Sequence, residues 1–370
     1  MLNRRVLLAL AIALGGCSHE QPFETPETGT NQPFQPGNPL RLTYNSGKDL
    51  RPAWSPDGSS IYYAWQFLGS TNLDRCLGEL PGSGGRSLRT ICPVDPATAD
   101  SADLFDAPAP GPDGQLLYTR GASRPGAVAP DHNGIFVGPE ADPLAATEVR
   151  TLPFTIPGVP KTVGTVGYAR WTGPNRLAVL AQSVDYPRAC SNCPPDTLVT
   201  GIVVAEMDVG GAPAVTTPIA LTTGATSLDL NATQDTIYYT LRDDSRVYRL
   251  ARATGQSTVA HDFGALGIAR DVAVRGGTLV AVVGGEVTAE DDPIFGPVQY
   301  DAGGPLVSVD LATGTETVLP ATPALYFRRP AFAPAPGSAR LIVEGFTVTL
   351  GPGGVPVVNP IGDLYLFVSP

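Results

Sequence analysis

The sequence predicts an all-β fold: a six-bladed β-propeller of four-stranded antiparallel blades, closed by an N-terminal strand, Leu40–Tyr44, that completes the last blade. Three observations predict it. A strand–turn–strand pattern recurs six times between Pro39 and Pro370. Gly and Pro number 42 and 38, enough to punctuate many short strands, and no long 3.6-residue periodicity follows the N-terminus. The repeat holds four strands and has a period of roughly 40 to 60 residues, which a propeller blade requires.

In chain order, residues 1–16 stand apart from the fold. Arg4 and Arg5 give a charged start, and Val6 to Leu14 is an apolar run too short to cross a bilayer, which takes about twenty residues. The run ends in Leu14-Gly15-Gly16-Cys17. This resembles the lipobox of bacterial lipoproteins, and the resemblance implies cleavage before Cys17 and lipidation of its thiol. More than one acyl chain anchors stably where a single chain is marginal. Ser18 follows the cysteine instead of aspartate, which by the same resemblance implies the outer membrane, facing the periplasm or the cell surface. Residues 17–38 comprise the lipidated cysteine and a tether rich in Pro, Thr, Gln and Glu. The propeller domain is expected over 39–370.

Leu40–Tyr44 supplies the closing strand. The first anchor follows: Asp49-Leu50-Arg51-Pro52-Ala53-Trp54, then Ser55-Pro56-Asp57-Gly58, then Ile61-Tyr62-Tyr63-Ala64-Trp65. Pro56 pre-sets φ for a type I turn, Asp57 suits its third position and Gly58 its last. Aromatic and β-branched residues leave the turn as a strand, and Trp54 is placed to pack between sheets. The second anchor turns at Gly111-Pro112-Asp113-Gly114, the third at Thr172 to Asn175, the fourth at Asn231 to Asp235, the fifth at Arg275-Gly276-Gly277 and the sixth at Ala333 to Ser338. Third strands are expected at 72–80, 134–138, 201–207, 246–250, 306–311 and 363–368. Fourth strands are expected at 88–92, 148–154, 215–221, 257–262 and 316–319. The sixth repeat lacks its own fourth strand, so Leu40–Tyr44 closes the ring and leaves no unpaired end blade.

Arg51 to Gly58, preceded by Leu42-Thr43, resembles the WD-like propeller repeat of TolB-like periplasmic proteins. The resemblance is fullest in the first repeat and partial at Gly111 to Gly114. It implies a six-bladed ring serving protein–protein recognition in the cell envelope. The helical N-terminal domain of TolB has no counterpart here.

Strand order fixes where a binding face lies. The second-to-third loops and the blade-to-blade links share one rim, and these are the long ones: 121–133, 183–200, 285–304 and 347–362, with links 94–106 and 155–167. Long loops in a compact domain are usually functional, with neutral insertion as the plainer reading. The candidate binding-face residues are Arg124, Asp131, Arg188, Arg270, Asp291, Asp292 and Arg328. Glu290-Asp291-Asp292 offers oxygen ligands for calcium but lacks regular ligand spacing, so a solvated acidic tip is the reading adopted.

Four further cysteines remain in a chain addressed to an oxidising compartment. Cys76 and Cys92 flank a hairpin loop, and Cys190 and Cys193 form a CxxC among prolines. Four cysteines allow three pairings; proximity favours Cys76–Cys92 and Cys190–Cys193 as structural staples over redox or zinc chemistry.

The balance of 24 basic and 35 acidic residues becomes 22 and 35 without Arg4 and Arg5. This argues against nucleic acid or an anionic lipid surface as partner. No HExxH, GxSxG or phosphate loop is present, and His132 and His261 lack an evident catalytic partner. The expected function is therefore that of a membrane-anchored, non-catalytic scaffold recognising an envelope protein or peptide, with no cofactor. The alternative is a small-ligand or enzymatic propeller of the sugar-lactonase type, with a metal in the central funnel.

Overall fold

The computed structural model describes residues 38–44, 47–67, 75–92, 102–123, 132–185, 198–284, 287–292, 296–301, 303–321, 325–334, 339–350 and 356–368. The chain opens with β1 (Leu40–Arg41), then β2 (Gly47–Trp54), β3 (Ser60–Phe67), β4 (Arg75–Pro81) and β5 (Arg89–Ile91). Next come β6 (Ala102–Pro110), β7 (Gln115–Ser123), β8 (His132–Pro139) and β9 (Thr147–Leu152). They are followed by β10 (Thr165–Gly173), β11 (Arg176–Asp185), β12 (Leu198–Asp208) and β13 (Val215–Leu221). The next set is β14 (Ala225–Leu230), β15 (Thr236–Leu241), β16 (Arg246–Ala251) and β17 (Ser257–Asp262). Then come β18 (Ala269–Arg275), β19 (Thr278–Val283), β20 (Val287–Asp292), β21 (Gly296–Asp301), β22 (Leu306–Asp310) and β23 (Glu316–Val318). The last are β24 (Leu325–Phe332), β25 (Arg340–Leu350) and β26 (Pro356–Val368). Apart from three short 3₁₀ turns the described chain has no helix.

These strands make a β-propeller of four-stranded antiparallel sheets. Four sheets stand separately: β10 to β13, β14 to β17, β18-β19-β22-β23, and β1-β26-β25-β24. The expectation of six separate blades is corrected here. Eight more strands, β2 to β9, form one sheet, because Arg75 pairs with Leu104 in parallel and joins β4 to β6, and β20 and β21 pair only with each other. The closing strand is confirmed in position and shortened in extent. Leu40 lies opposite Leu366 and Arg41 opposite Tyr365. Beyond Arg41, Leu42 and Thr43 turn into the core and leave the ladder register, though Leu42 N–H still donates to Leu364 O at 2.7 Å and Leu364 N–H to Thr43 Oγ1 at 2.9 Å.

Alternation along the strands places the core. Ile61, Tyr63 and Trp65 join Ile342, Leu364 and Leu366 on one side of β3. Tyr62, one residue out of phase, joins Leu77, Phe105, Leu116 and Tyr118 on the other. Successive side chains of a strand point to opposite faces, so each middle strand serves two clusters. The same division separates Leu177 and Val179 from Ala178 and Leu180. With both faces covered, the middle strands read as continuous apolar runs, and Leu177 to Ala181 are all fully buried.

The turns follow the predicted chemistry. Gly58 N–H donates to Ser55 O at 2.9 Å, and the Asp57 carboxylate accepts from Ser59 N–H, Ser55 Oγ and Ser59 Oγ. These bonds, led by the Ser59 amide, hold Asp57 down at about 2. In the fourth anchor Asn231 replaces the Pro-Asp-Gly set: its Oδ1 accepts the Thr236 N–H at 3.1 Å and its Nδ2 donates to Asp235 at 2.7 Å.

Where they are described, parts of the expected long loops are strand. β25 and β26 pair out to Leu350 and Pro356, and β11 and β12 out to Asp185 and Leu198. β20 and β21 form their own hairpin within 285–304. His132 begins β8 opposite Ala122, not a loop. In the sequence these segments lack the Pro-Asp-Gly punctuation but carry β-branched residues, which keep the ladder going.

Cys76 and Cys92 are bonded, with Cα atoms 4.5 Å apart, as the neighbouring Leu77–Ile91 register requires. Cys190 and Cys193 lie outside the described residues, as does Cys17. Replacing both Cys76 and Cys92 by serine is expected to lower stability by about 3 kcal/mol, the loop-closure value for a loop of this length. A urea midpoint unchanged from wild type would refute this.

The closing seam carries a titratable group. Asp363 on β26 is buried and ion-paired to Arg41 at 2.7 Å, while its Oδ1 has no hydrogen-bond partner. Burial raises its pKa to about 6, against the pull of Arg41. Between about 4 and 6 the folded chain keeps a proton that the unfolded chain has released. This group therefore makes stability fall as pH rises through that window, by about 2–3 kcal/mol in total. Asp363→Asn should remove that slope. The measurement is the difference in unfolding free energy between wild type and variant at pH 4.5 and pH 7, and an equal difference at both would exclude the effect.

Candidate functional site

The innermost strands β2, β6, β10, β14, β18 and β24 each carry a break in register. In β2, β6 and β24 the break holds an Xaa-Pro pair: Arg51-Pro52, Ala107-Pro108 and Arg329-Pro330. Proline has no N–H for the ladder, and a bulge takes it out of the pairing. The preceding residues are left-handed, with φ of 55° at Arg51, 50° at Ala107 and 51° at Arg329. That conformation is unfavourable for a residue with a Cβ and more so before proline. Carboxylates hold it in place. Arg51 N–H donates to Glu344 Oε1 at 2.5 Å, Arg329 N–H to Asp271 Oδ2 at 3.0 Å, and Ala107 N–H to Asp106 Oδ1 at 2.9 Å.

The same acids meet the guanidinium groups. Asp106 is 3.0 Å from both Arg51 and Arg75, and Glu344 is 3.4 Å from Arg328 and 3.5 Å from Arg329. Arg170 pairs with Asp229 at 2.8 Å, whose other oxygen accepts the Val274 N–H at 2.9 Å. Tyr168 donates its hydroxyl to Asp271, and Arg329 lies over the Tyr168 ring, 5.1 Å from its centroid. Every one of these acids except Asp106 bonds a strand of a different sheet, so the network stitches the ring across its centre.

Electrostatics follow from this crowding. Burial, and then Arg329 nearby, bring Arg51 down to about 10. At Arg329 burial works against the charge, but Tyr168, Glu344 and Asp271 outweigh it and hold the group above its ordinary value. At Asp106 burial likewise opposes the charge and is outweighed by Arg51 and Arg75, so the carboxylate sits below its usual range.

Between these side chains is a depression of about 360 Å³, open solvent included, lined by Arg51, Ala107, Tyr168, Arg170 and Arg329 with the three prolines Pro52, Pro108 and Pro330. Its lining mixes proline and alanine with guanidinium groups, and its charged side chains are all donors. Among the described residues no group of three or more His, Cys, Asp and Glu side chains is arranged to hold a metal ion. Asp106, Asp271 and Glu344 are each turned to guanidinium or backbone N–H groups, a donor set that does not fit a divalent cation.

Of the candidate residues read from the sequence, Arg270 lies in β18 with Nε donating to Gly284 O at 2.6 Å. Arg328 lies in β24, beside Glu344 and over the Phe346 ring at 4.2 Å. Asp291 and Asp292 end β20, opposite Pro297 and Gly296. Arg124, Asp131 and Arg188 lie outside the described residues. His132 pairs with Glu148 at 3.0 Å and His261 with Glu316 at 2.7 Å, both away from the channel residues. Sequence reasoning missed the channel cluster of Arg51, Asp106, Tyr168, Asp271, Arg329 and Glu344. The available signal was the Arg-Pro-Ala-aromatic run, present at Arg51 to Trp54 and again at Arg329 to Phe332.

No family model matches the chain, and no curated protein is similar to it in sequence. Solved structures share its shape. A gluconolactonase from Xanthomonas campestris is 14% identical, with 89% of each chain covered and a TM-score of 0.52. A calcium-binding regucalcin from Agrobacterium tumefaciens is 16% identical over 90% of this chain and 92% of its own, with a TM-score of 0.48. TolB from Acinetobacter baumannii is 14% identical over 79% of this chain and 59% of its own, with a TM-score of 0.47. At these identities the likeness concerns the fold.

Proposed function

We propose that this chain is a membrane-anchored lipoprotein of the cell envelope whose propeller recognises a protein or peptide without catalysing a reaction. The supporting observation is the use made of the channel acids. Asp106, Asp271, Glu344 and Asp229 hold bulged backbone and guanidinium groups, and none is left as a metal ligand or general base. The centre is built as a hub of paired charges, and the hairpins β20–β21 and β25–β26 are offered as the partner's docking edges, since strand edges can pair with an incoming chain.

The eight-stranded sheet is read as two blades, giving six. Its halves bury Tyr62, Leu77, Phe105, Leu116 and Tyr118 between them, as neighbouring sheets do elsewhere in the ring. The anchor is assigned to Cys17 by the lipobox, with the outer membrane as address. The direct test is photo-crosslinking in intact cells from Gln299 in β21. A discrete adduct that disappears when Val287–Asp301 is replaced by a short turn supports the reading. A Cys17→Ser chain should move from the membrane to the soluble fraction.

A small-ligand or enzymatic propeller is the second reading, favoured by the channel depression. A stoichiometric divalent ion in the purified protein, together with lactone hydrolysis, would replace the first reading with this one.

A further inference from the structure

We propose that the channel depression is a binding site for a single carboxylate group, clamped between Arg51 and Arg329. The site stands whether the partner is a protein or a small molecule, so it does not rest on the loop-rim reading.

Four observations carry it. First, both arginines reach the depression from left-handed residues ahead of proline, a backbone state that L-residues avoid. The third such pair, Ala107-Pro108, carries only a methyl group and leaves that sector of the channel open. Second, among the described residues the Arg329 guanidinium makes no hydrogen bond. Its contacts are Glu344 at 3.5 Å and the face of Tyr168, and its side chain is about a quarter exposed, at 26%. Arg51 uses Nε on Asp106 and reaches Gly167 O at 3.5 Å with Nη1, leaving Nη2 for another acceptor. Third, guanidinium groups gather here: Arg51 and Arg329 line the depression, and Arg75 shares Asp106 with Arg51 as Arg328 shares Glu344 with Arg329. Fourth, the remaining lining is proline, alanine and Gly167, with Arg170 already paired to Asp229 and the Tyr168 hydroxyl already given to Asp271.

These features select among anions. A guanidinium fork matches the planar, two-oxygen geometry of a carboxylate. Two neighbouring guanidiniums favour a negative charge between them. A second negative charge would lie close to Asp106, paired with Arg51, and to Glu344, paired with Arg329, so a phosphate dianion is disfavoured. Burial and mutual repulsion of the two guanidiniums add to the gain from an anion between them. The carboxylate has two possible sources, a free organic acid and the C-terminus or acidic side chain of a polypeptide.

The test uses the full chain and arginine modification by phenylglyoxal, read by peptide mass spectrometry at Arg51 and Arg329. Acetate, inorganic phosphate, a short peptide acid and its C-terminal amide serve as probes. Saturable protection by acetate and peptide acid alike indicates the free-acid source. Protection by the peptide acid at concentrations where acetate and the amide do nothing indicates the polypeptide source. Arg329→Lys keeps the charge beside Glu344 but loses the fork. Its half-protecting carboxylate concentration should rise roughly tenfold or more with the urea midpoint held, as expected for loss of a charge-assisted hydrogen bond. Absence of saturable protection by any carboxylate, equal or better protection by phosphate at pH 8, or wild-type affinity in Arg329→Lys would each overturn the proposal.

Discussion

Replacing Glu344 by alanine should destabilise the protein by roughly 3–5 kcal/mol, the range for removing one partner of a buried charge network. Glu344 is 1% exposed, and three groups depend on it: the Arg51 N–H and the guanidiniums of Arg328 and Arg329. Without the carboxylate, two partly buried cations lose a counter-charge and a strained bulge loses its acceptor. The two defects occur on different strands, so the loss should appear as a lower urea midpoint and as an earlier thermal transition by every probe. Glu344→Gln separates the contributions. It retains an acceptor for the Arg51 amide but no charge, and should fall between wild type and alanine. A loss under 1 kcal/mol in Glu344→Ala would mean that solvent screens the hub, and the stitched-ring description would fail.

The second large effect is expected at Trp54. Its ring packs against Ala331 and Ala333, and Arg340 lies over it, 4.8 Å from the ring centroid. Its Nε1–H donates to Ala331 O at 2.9 Å, a bond between the first and last sheets of the chain. Trp54→Ala should cost about 3–5 kcal/mol through cavity formation and a carbonyl left without its donor. Trp54→Phe keeps most of the packing and should cost about 1–2 kcal/mol, mainly the lost hydrogen bond. Trp171 occupies the matching place one interface away: its Nε1–H donates to Ala109 O at 2.8 Å. The close seat of its ring explains Gly111, where an added Cβ would lie 2.4 Å from the ring. Trp171→Phe is therefore expected to resemble Trp54→Phe in size. If Trp54→Ala and Trp54→Phe proved equally damaging, packing would not be the dominant contribution.

Much of this fold was legible in the chain itself. The Ser55-Pro56-Asp57-Gly58 turn, the alternation from Ile61 to Trp65, the Cys76–Cys92 staple and the return of Leu40 to the last sheet all rest on local signals or on counting strands. The misreadings have a common cause. Segments such as 347–362 and 285–304 contain glycine and proline, which read as loop, while the pairing of Val348 with Val358 or Val287 with Asp301 shows only when both strands are in place. The join of β4 to β6 through Arg75 and Leu104 is likewise a contact between strands that no motif announces.

The candidate site was less legible still. Arg51 and Arg329 share the Arg-Pro-Ala-aromatic run, but nothing in that run says that the two side chains meet. Their partners are distant: Glu344 is 293 residues from Arg51, and Ala331 is 277 from Trp54.

The sequence alone determined that strands would form, where they would turn and that the chain would meet its own beginning, because period-2 patterning and turn chemistry act over a few residues. The tertiary structure alone decided which charges face the centre. Only ring closure brings six inner strands together, and burial there makes each choice of partner for a carboxylate or guanidinium a large energy, where in the open chain water would make it a negligible one.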